Sequence, residues 1–159
     1  MRKLLKKINR MIYFAVFKIN LIIGCIPARL RWDRLSRKLQ RANARRVLKV
    51  RHGQRKIEME EIGNEWKRMF PLKGMQEILT VDADTVYART HGWCPLRGTG
   101  DVRACFQLME FDRALLETIG GQFVVLRSQA QPGVKTCDIA IRRLGKSIDD
   151  LVPAYKQIQ

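Results

Sequence analysis

The chain has 159 residues, room for one domain and not for two large cores. A hydrophobic fraction of 46% excludes wholesale disorder, and four cysteines are too few for a disulfide scaffold. The charge is the unusual quantity: 31 Lys and Arg against 15 Asp and Glu, a formal +16.

That charge is concentrated at the N-terminus. Residues 1–56 hold 18 basic residues and one acid, Asp33, whereas residues 57–159 carry 13 basic and 14 acidic groups. The expected organisation is a basic amphipathic helical leader over 1–56 followed by a nearly neutral body over 57–159. Within the leader, Leu4, Ile8, Met11, Ile12, Ala15, Ile19, Ile22, Ile23 and Ile26 fall on one stripe at helical spacing. Arg2, Lys3, Lys6, Lys7 and Arg10 fall mainly on the other side, where Tyr13, Phe14, Phe17 and Leu21 intrude. Lys18 and Asn20 interrupt the apolar run, which argues against both a bilayer span and an export signal. Pro27 is expected to end or kink this helix. A second helix is expected from about 28 to 50, dense in arginine.

Three partners compete for the leader. A helix with cations on one face and aromatics beside an apolar stripe suits an anionic membrane surface. It also suits docking on the body or in a larger protein complex. Nucleic acid ranks third, because no helix-turn-helix, zinc finger or aromatic RNA-binding sheet is visible. The expected location is the cytoplasm, with peripheral attachment to the inner face of the membrane as the variant the leader suggests.

After His52-Gly53-Gln54 a third helix is expected from Ile57 to Phe70, with Met59, Ile62, Trp66 and Met69 on one face. Residues 78–81 and 85–90 read as a β-hairpin around Asp82-Ala83-Asp84. His91-Gly92-Trp93-Cys94-Pro95 is a loop, and Asp101 is a plausible N-cap for one continuous helix over 102–119. Residues 123–128 and 136–141 read as two more strands, and a short last helix is expected from Ser147. The fold class is α+β: a small antiparallel sheet packed with helices, preceded by the basic leader.

Residues 85–143 carry a resemblance. Cys94-Pro95, Cys105 with Asp112 seven residues on, and Arg127-Ser128-Gln129-Ala130-Gln131-Pro132-Gly133 leading to Cys137-Asp138-Ile139 occur in one order. This order resembles the L-2-amino-thiazoline-4-carboxylic acid hydrolase family, and more distantly the vinyl-4-reductase-type ligand-binding domains. Met109, Gln129-Ala130 and Ile139 depart from the family pattern. The resemblance implies hydrolytic opening of a small cyclic amidine, a 2-aminothiazoline, to a carbamoyl-cysteine.

Such chemistry needs a nucleophile or activated water and an acid for the leaving group. Cys94 is the expected nucleophile, with His91 lowering its pKa. Asp112 is the base or the partner of the amidine, and Arg127 would grip a carboxylate. The resemblance adds Cys105 and Cys137, which on residue type alone are core thiols. No cofactor is expected. Zinc on His91, Cys94, Cys105 and Cys137 is the alternative, at a spacing that matches no finger or ribbon. The competing function is a non-catalytic ligand-binding or adaptor domain held to a membrane or complex by the leader.

Overall fold

In the computed structural model, residues 2–70 and 74–157 are described, with side chains from residue 11 onward except Tyr13. Four strands, β1 (Gln76–Val81), β2 (Thr85–Thr90), β3 (Gly121–Arg127) and β4 (Cys137–Arg143), form one sheet of order β1-β2-β4-β3. Every neighbouring pair is antiparallel, as expected. Around it lie α1 (Arg2–Arg29), α2 (Asp33–Arg51), α3 (Met59–Arg68), α4 (Val102–Leu108) and α5 (Glu110–Ile119).

Strand alternation sorts the core into two layers. Val86, Ala88, Phe123, Ile139 and Ile141 face α3 and α5, where Ile62, Trp66, Leu115, Leu116 and Ile119 complete the main core. Val124 and Ala140, each one residue out of phase, face the opposite side and pack with Leu151. The C-terminal segment therefore covers the back of the sheet. Among the described residues it forms only a 3-10 turn, Ala154–Lys156, in place of the helix expected from Ser147. There the Ser147 hydroxyl accepts from the Asp149 amide at 3.1 Å, a local turn that competes with helix formation.

Two helix boundaries depart from expectation. Pro27 neither ends nor visibly breaks α1, because it lies in the last turn. The helix closes two residues later: Arg31 takes φ 61°, Trp32 N–H donates to the Pro27 carbonyl and Arg31 N–H to that of Ala28. This is a Schellman closure with arginine in the left-handed position. His52, at φ 50°, closes α2 in the same way.

The expected single helix over 102–119 is two helices joined at Met109. Arg113 explains how the break is tolerated. Its guanidinium donates to the Phe106 carbonyl at 2.5 Å and to Glu110 at 2.9 Å, so the last turn of α4 keeps a donor.

Residue 56 does not mark a packing boundary. Ala44 of α2 is fully buried in the main core, with Val47 and Leu48 against it. Arg37 and Arg41 reach the buried Glu110 of α5, and Arg41 also pairs with Glu117. The Lys56 amide donates to the Ile119 carbonyl at 2.9 Å.

Candidate functional site

A cavity of about 260 Å³ lies between the sheet and the α1–α2 hairpin. Its aromatic wall is Trp66 and Phe70 from the α3 end, Phe111 from α5 and Phe123 from β3. These rings stack edge-on or tilted, with Trp66–Phe70, Trp66–Phe123 and Phe70–Phe111 centroids 5.6, 6.1 and 6.2 Å apart. They were legible in the sequence only as core residues. Phe17 and Leu21 of α1 close the cavity from above, on the face that intruded on the polar side of the leader.

Gly24 of α1 faces α2 and α4 at close range. A Cβ there would stand 2.4 Å from Nε2 of Gln40 and 3.1 Å from Cδ1 of Leu108. Lys18 holds the same helix to the rim, its ammonium 5.1 Å from the centroid of the Trp93 ring.

Asp112 is the buried charge at this site. It is 6% exposed and lines the cavity. The Trp66 indole N–H donates to its Oδ1 at 2.9 Å, the one side-chain hydrogen bond it receives among the described residues. Burial raises its pKa to about 6, against the lowering effect of the Trp66 bond and the nearby Arg113 charge. A carboxyl whose pKa is raised toward neutrality in a cavity suits proton transfer.

The cysteines divide. Cys94 and Cys137 line the cavity with Asp112. Gln129 fastens the loop that carries Cys94 to the strand that carries Cys137. Its Oε1 accepts from Arg97 at 2.7 and 2.9 Å, its Nε2 donates to the Gly92 carbonyl, and its amide N–H donates to the Cys137 sulfur at 3.3 Å. Cys105 is not at this cavity. It is buried in α4, accepts a hydrogen bond from the Ser128 hydroxyl at 3.0 Å and borders a separate cleft of about 220 Å³.

All four thiols are held protonated. Burial pushes Cys25 and Cys105 up to about 12 and Cys137 up to about 11, and it raises Cys94 too. This corrects the expectation of an activated Cys94 thiolate. At Cys94 burial outweighs the lowering effect of the Leu96 and Arg97 amides and of the Arg97 charge, while His91 pairs with Glu77, Nε2 to Oε2 at 2.9 Å.

Arg127 is likewise outside the site. It sits opposite Asp138 on β4 and pairs with it at 2.7 Å, while Arg89 of β2 pairs with the same carboxylate from the other side at 2.7 Å. The three residues form a cross-strand row, and Arg127 is a sheet clamp. Among the described residues no three His, Cys, Asp or Glu side chains are grouped to hold a metal ion.

Polar lining residues missed as site residues in the sequence are Gln40, Gln76, Gln129 and Arg51, together with Asn20, Asn43 and Thr90. Gln40 and Gln76 are 6% and 5% exposed and turn amide side chains to the cavity lining, where they can donate to and accept from a ligand. Glutamine at such positions carries no spacing signal, so only the fold could find them.

The cavity therefore offers aromatic walls, one carboxyl with a raised pKa, amide side chains and a guanidinium at Arg51. Comparison with protein-family models, curated proteins and solved structures gives no significant match.

Proposed function

We propose that the cavity binds a small, flat cyclic amidine and opens it by hydrolysis, with Asp112 as the acid–base group. The observation that carries this reading is the buried Asp112, its pKa raised to about 6, in a cavity walled by the rings of Trp66, Phe70, Phe111 and Phe123. Its carboxylate would pair with the amidinium while the rings sandwich the planar cation. A volume of about 260 Å³ lies just below the ~300–1,000 Å³ of drug-sized sites and suits a small heterocycle. Arg51 takes the carboxylate-binding role first expected of Arg127.

The thiols are protonated, so water rather than Cys94 is the nucleophile of this reading. Water oxygen bonds to the amidine carbon while Asp112 takes one of its protons. The carbon–sulfur bond breaks and the departing sulfur receives that proton from Asp112. The remaining hydroxyl proton leaves to solvent as the urea carbonyl forms. One water is consumed, and no oxidant or reductant is needed.

The experiment is incubation of the protein with 2-aminothiazoline-4-carboxylate while the released thiol is titrated. Thiol release that Asp112→Asn abolishes and Cys94→Ser preserves supports the reading. Release that needs Cys94 and not Asp112 overturns it. A binding domain without turnover is the second reading, favoured by the absence of any ionised thiol. Tight binding with no thiol release would select it.

A further inference from the structure

The inner face of α1 closes the cavity, and its outer face is left bare. Ile12, Ile19, Ile23, Ile26 and Leu30 lie along one line of the helix and are each 52–56% exposed. From Ile12 to Leu30 that line is roughly 27 Å long at the α-helical rise. Trp32, 56% exposed, stands at the turn into α2, and Leu35 and Leu39 continue the apolar ridge along that helix. A contiguous ridge of this extent is a binding surface rather than scattered exposure.

The charges beside it select the partner. Arg29, Arg34, Lys38, Arg45, Arg46 and Lys49 are exposed and have no acidic partner among the described residues. The hairpin's one acid, Asp33, is tied to Arg103 at 2.9 Å. We propose that the outer face of the α1–α2 hairpin docks in the plane of an anionic lipid bilayer. The isoleucine ridge would enter the acyl boundary and the cations would meet the headgroups.

Crossing is not an option, because no helix among the described residues is long and apolar enough to span a membrane. A second copy is disfavoured, since a two-fold contact on this face would set arginine against arginine. Nucleic acid would satisfy the arginines and leave the isoleucines without a role. The inference uses only the outer face of the α1–α2 hairpin, so it stands or falls separately from the cavity reading.

The test is co-sedimentation of the full chain with phosphatidylglycerol-containing vesicles and with pure phosphatidylcholine vesicles. Binding is expected only to the former, weakening as salt rises. Ile19→Ser/Ile23→Ser should weaken it roughly tenfold or more while leaving the melting temperature unchanged, since both side chains are exposed. Lys38→Glu/Arg45→Glu should also weaken it, by roughly fivefold or more per cation reversed. Absence of anionic-vesicle binding at low salt, or binding indifferent to the isoleucine pair, overturns the proposal. So does a dimer that Ile19→Ser/Ile23→Ser dissolves, or duplex DNA binding that outcompetes the vesicles.

Discussion

Replacing Asp112 by asparagine should stabilise the protein at neutral pH while removing the proposed activity. The carboxyl is buried against Trp66, and its pKa is raised from 3.8 to about 6. A raised acid contributes stability that is fully present below the unfolded pKa and is lost as pH rises through the folded one. About two pKa units correspond to ~3 kcal/mol of ionisation cost above pH 7. Asparagine escapes that cost and keeps an oxygen for the Trp66 N–H. Its new NH₂ faces the cavity, at a cost of ~1 kcal/mol if poorly bonded.

The net gain for Asp112→Asn is about 2 kcal/mol at pH 8, or roughly 4–8 °C for a chain of this size. Near pH 3.5 the order should reverse, with wild type ahead by about 1 kcal/mol. Urea denaturation of both proteins from pH 3.5 to 8 measures the difference directly, because other groups titrate alike in the two. Stability curves that cross between these limits support the reasoning. A difference independent of pH, or a variant less stable at pH 8, refutes it.

Gly120→Ala should cost about 2–4 kcal/mol in thermal or urea unfolding, because residue 120 has φ 113° and an added Cβ would lie 2.5 Å from the Lys56 carbonyl oxygen. Glu110 is opposed by burial but held below the usual carboxylate range by Arg113, Arg41 and Arg37. Its stabilisation is present above the unfolded pKa and lost as pH falls through the folded one, so Glu110→Gln should cost about 3 kcal/mol at pH 7 and much less below pH ~4. Thiol titration of the native protein at pH 7 should find Cys25 and Cys105 unreactive until denaturant is added, since both are buried with pKa values of about 12; four fast thiols would contradict their burial.

The sheet was legible because its segments are short, rich in β-branched and aromatic residues and bounded by turn residues, as Thr85-Val86-Tyr87 after Asp82-Ala83-Asp84 shows. The break at Met109 was not legible: no proline or glycine marks it, and the Arg113–Phe106 bond that accommodates it is known only from the fold. The leader showed its bare stripe in sequence, but its two apolar sides had to be told apart by Gly24, whose close approach to Gln40 fixes which side docks. Of the candidate site, Cys94, Asp112 and Cys137 do share a cavity. His91 and Arg127 were drawn elsewhere by Glu77 and Asp138, nearby carboxylates on the sheet that sequence order alone does not bring to mind. Arg127 lies two residues from Gln129, which does line the cavity, and the register shift between Val125 and Arg127 accompanies its placement opposite Asp138.

Calorimetric titration of 2-aminothiazoline-4-carboxylate into the protein across pH 4.5–8 tests the central claim most directly. If Asp112 pairs with the amidinium, affinity should rise by up to about tenfold per pH unit below a pH of about 6 and level off above it, while Asp112→Asn should bind weakly with no pH dependence. Affinity that is flat across this range in wild type, or undiminished in Asp112→Asn, would contradict the assignment of Asp112 as the group that holds the ligand.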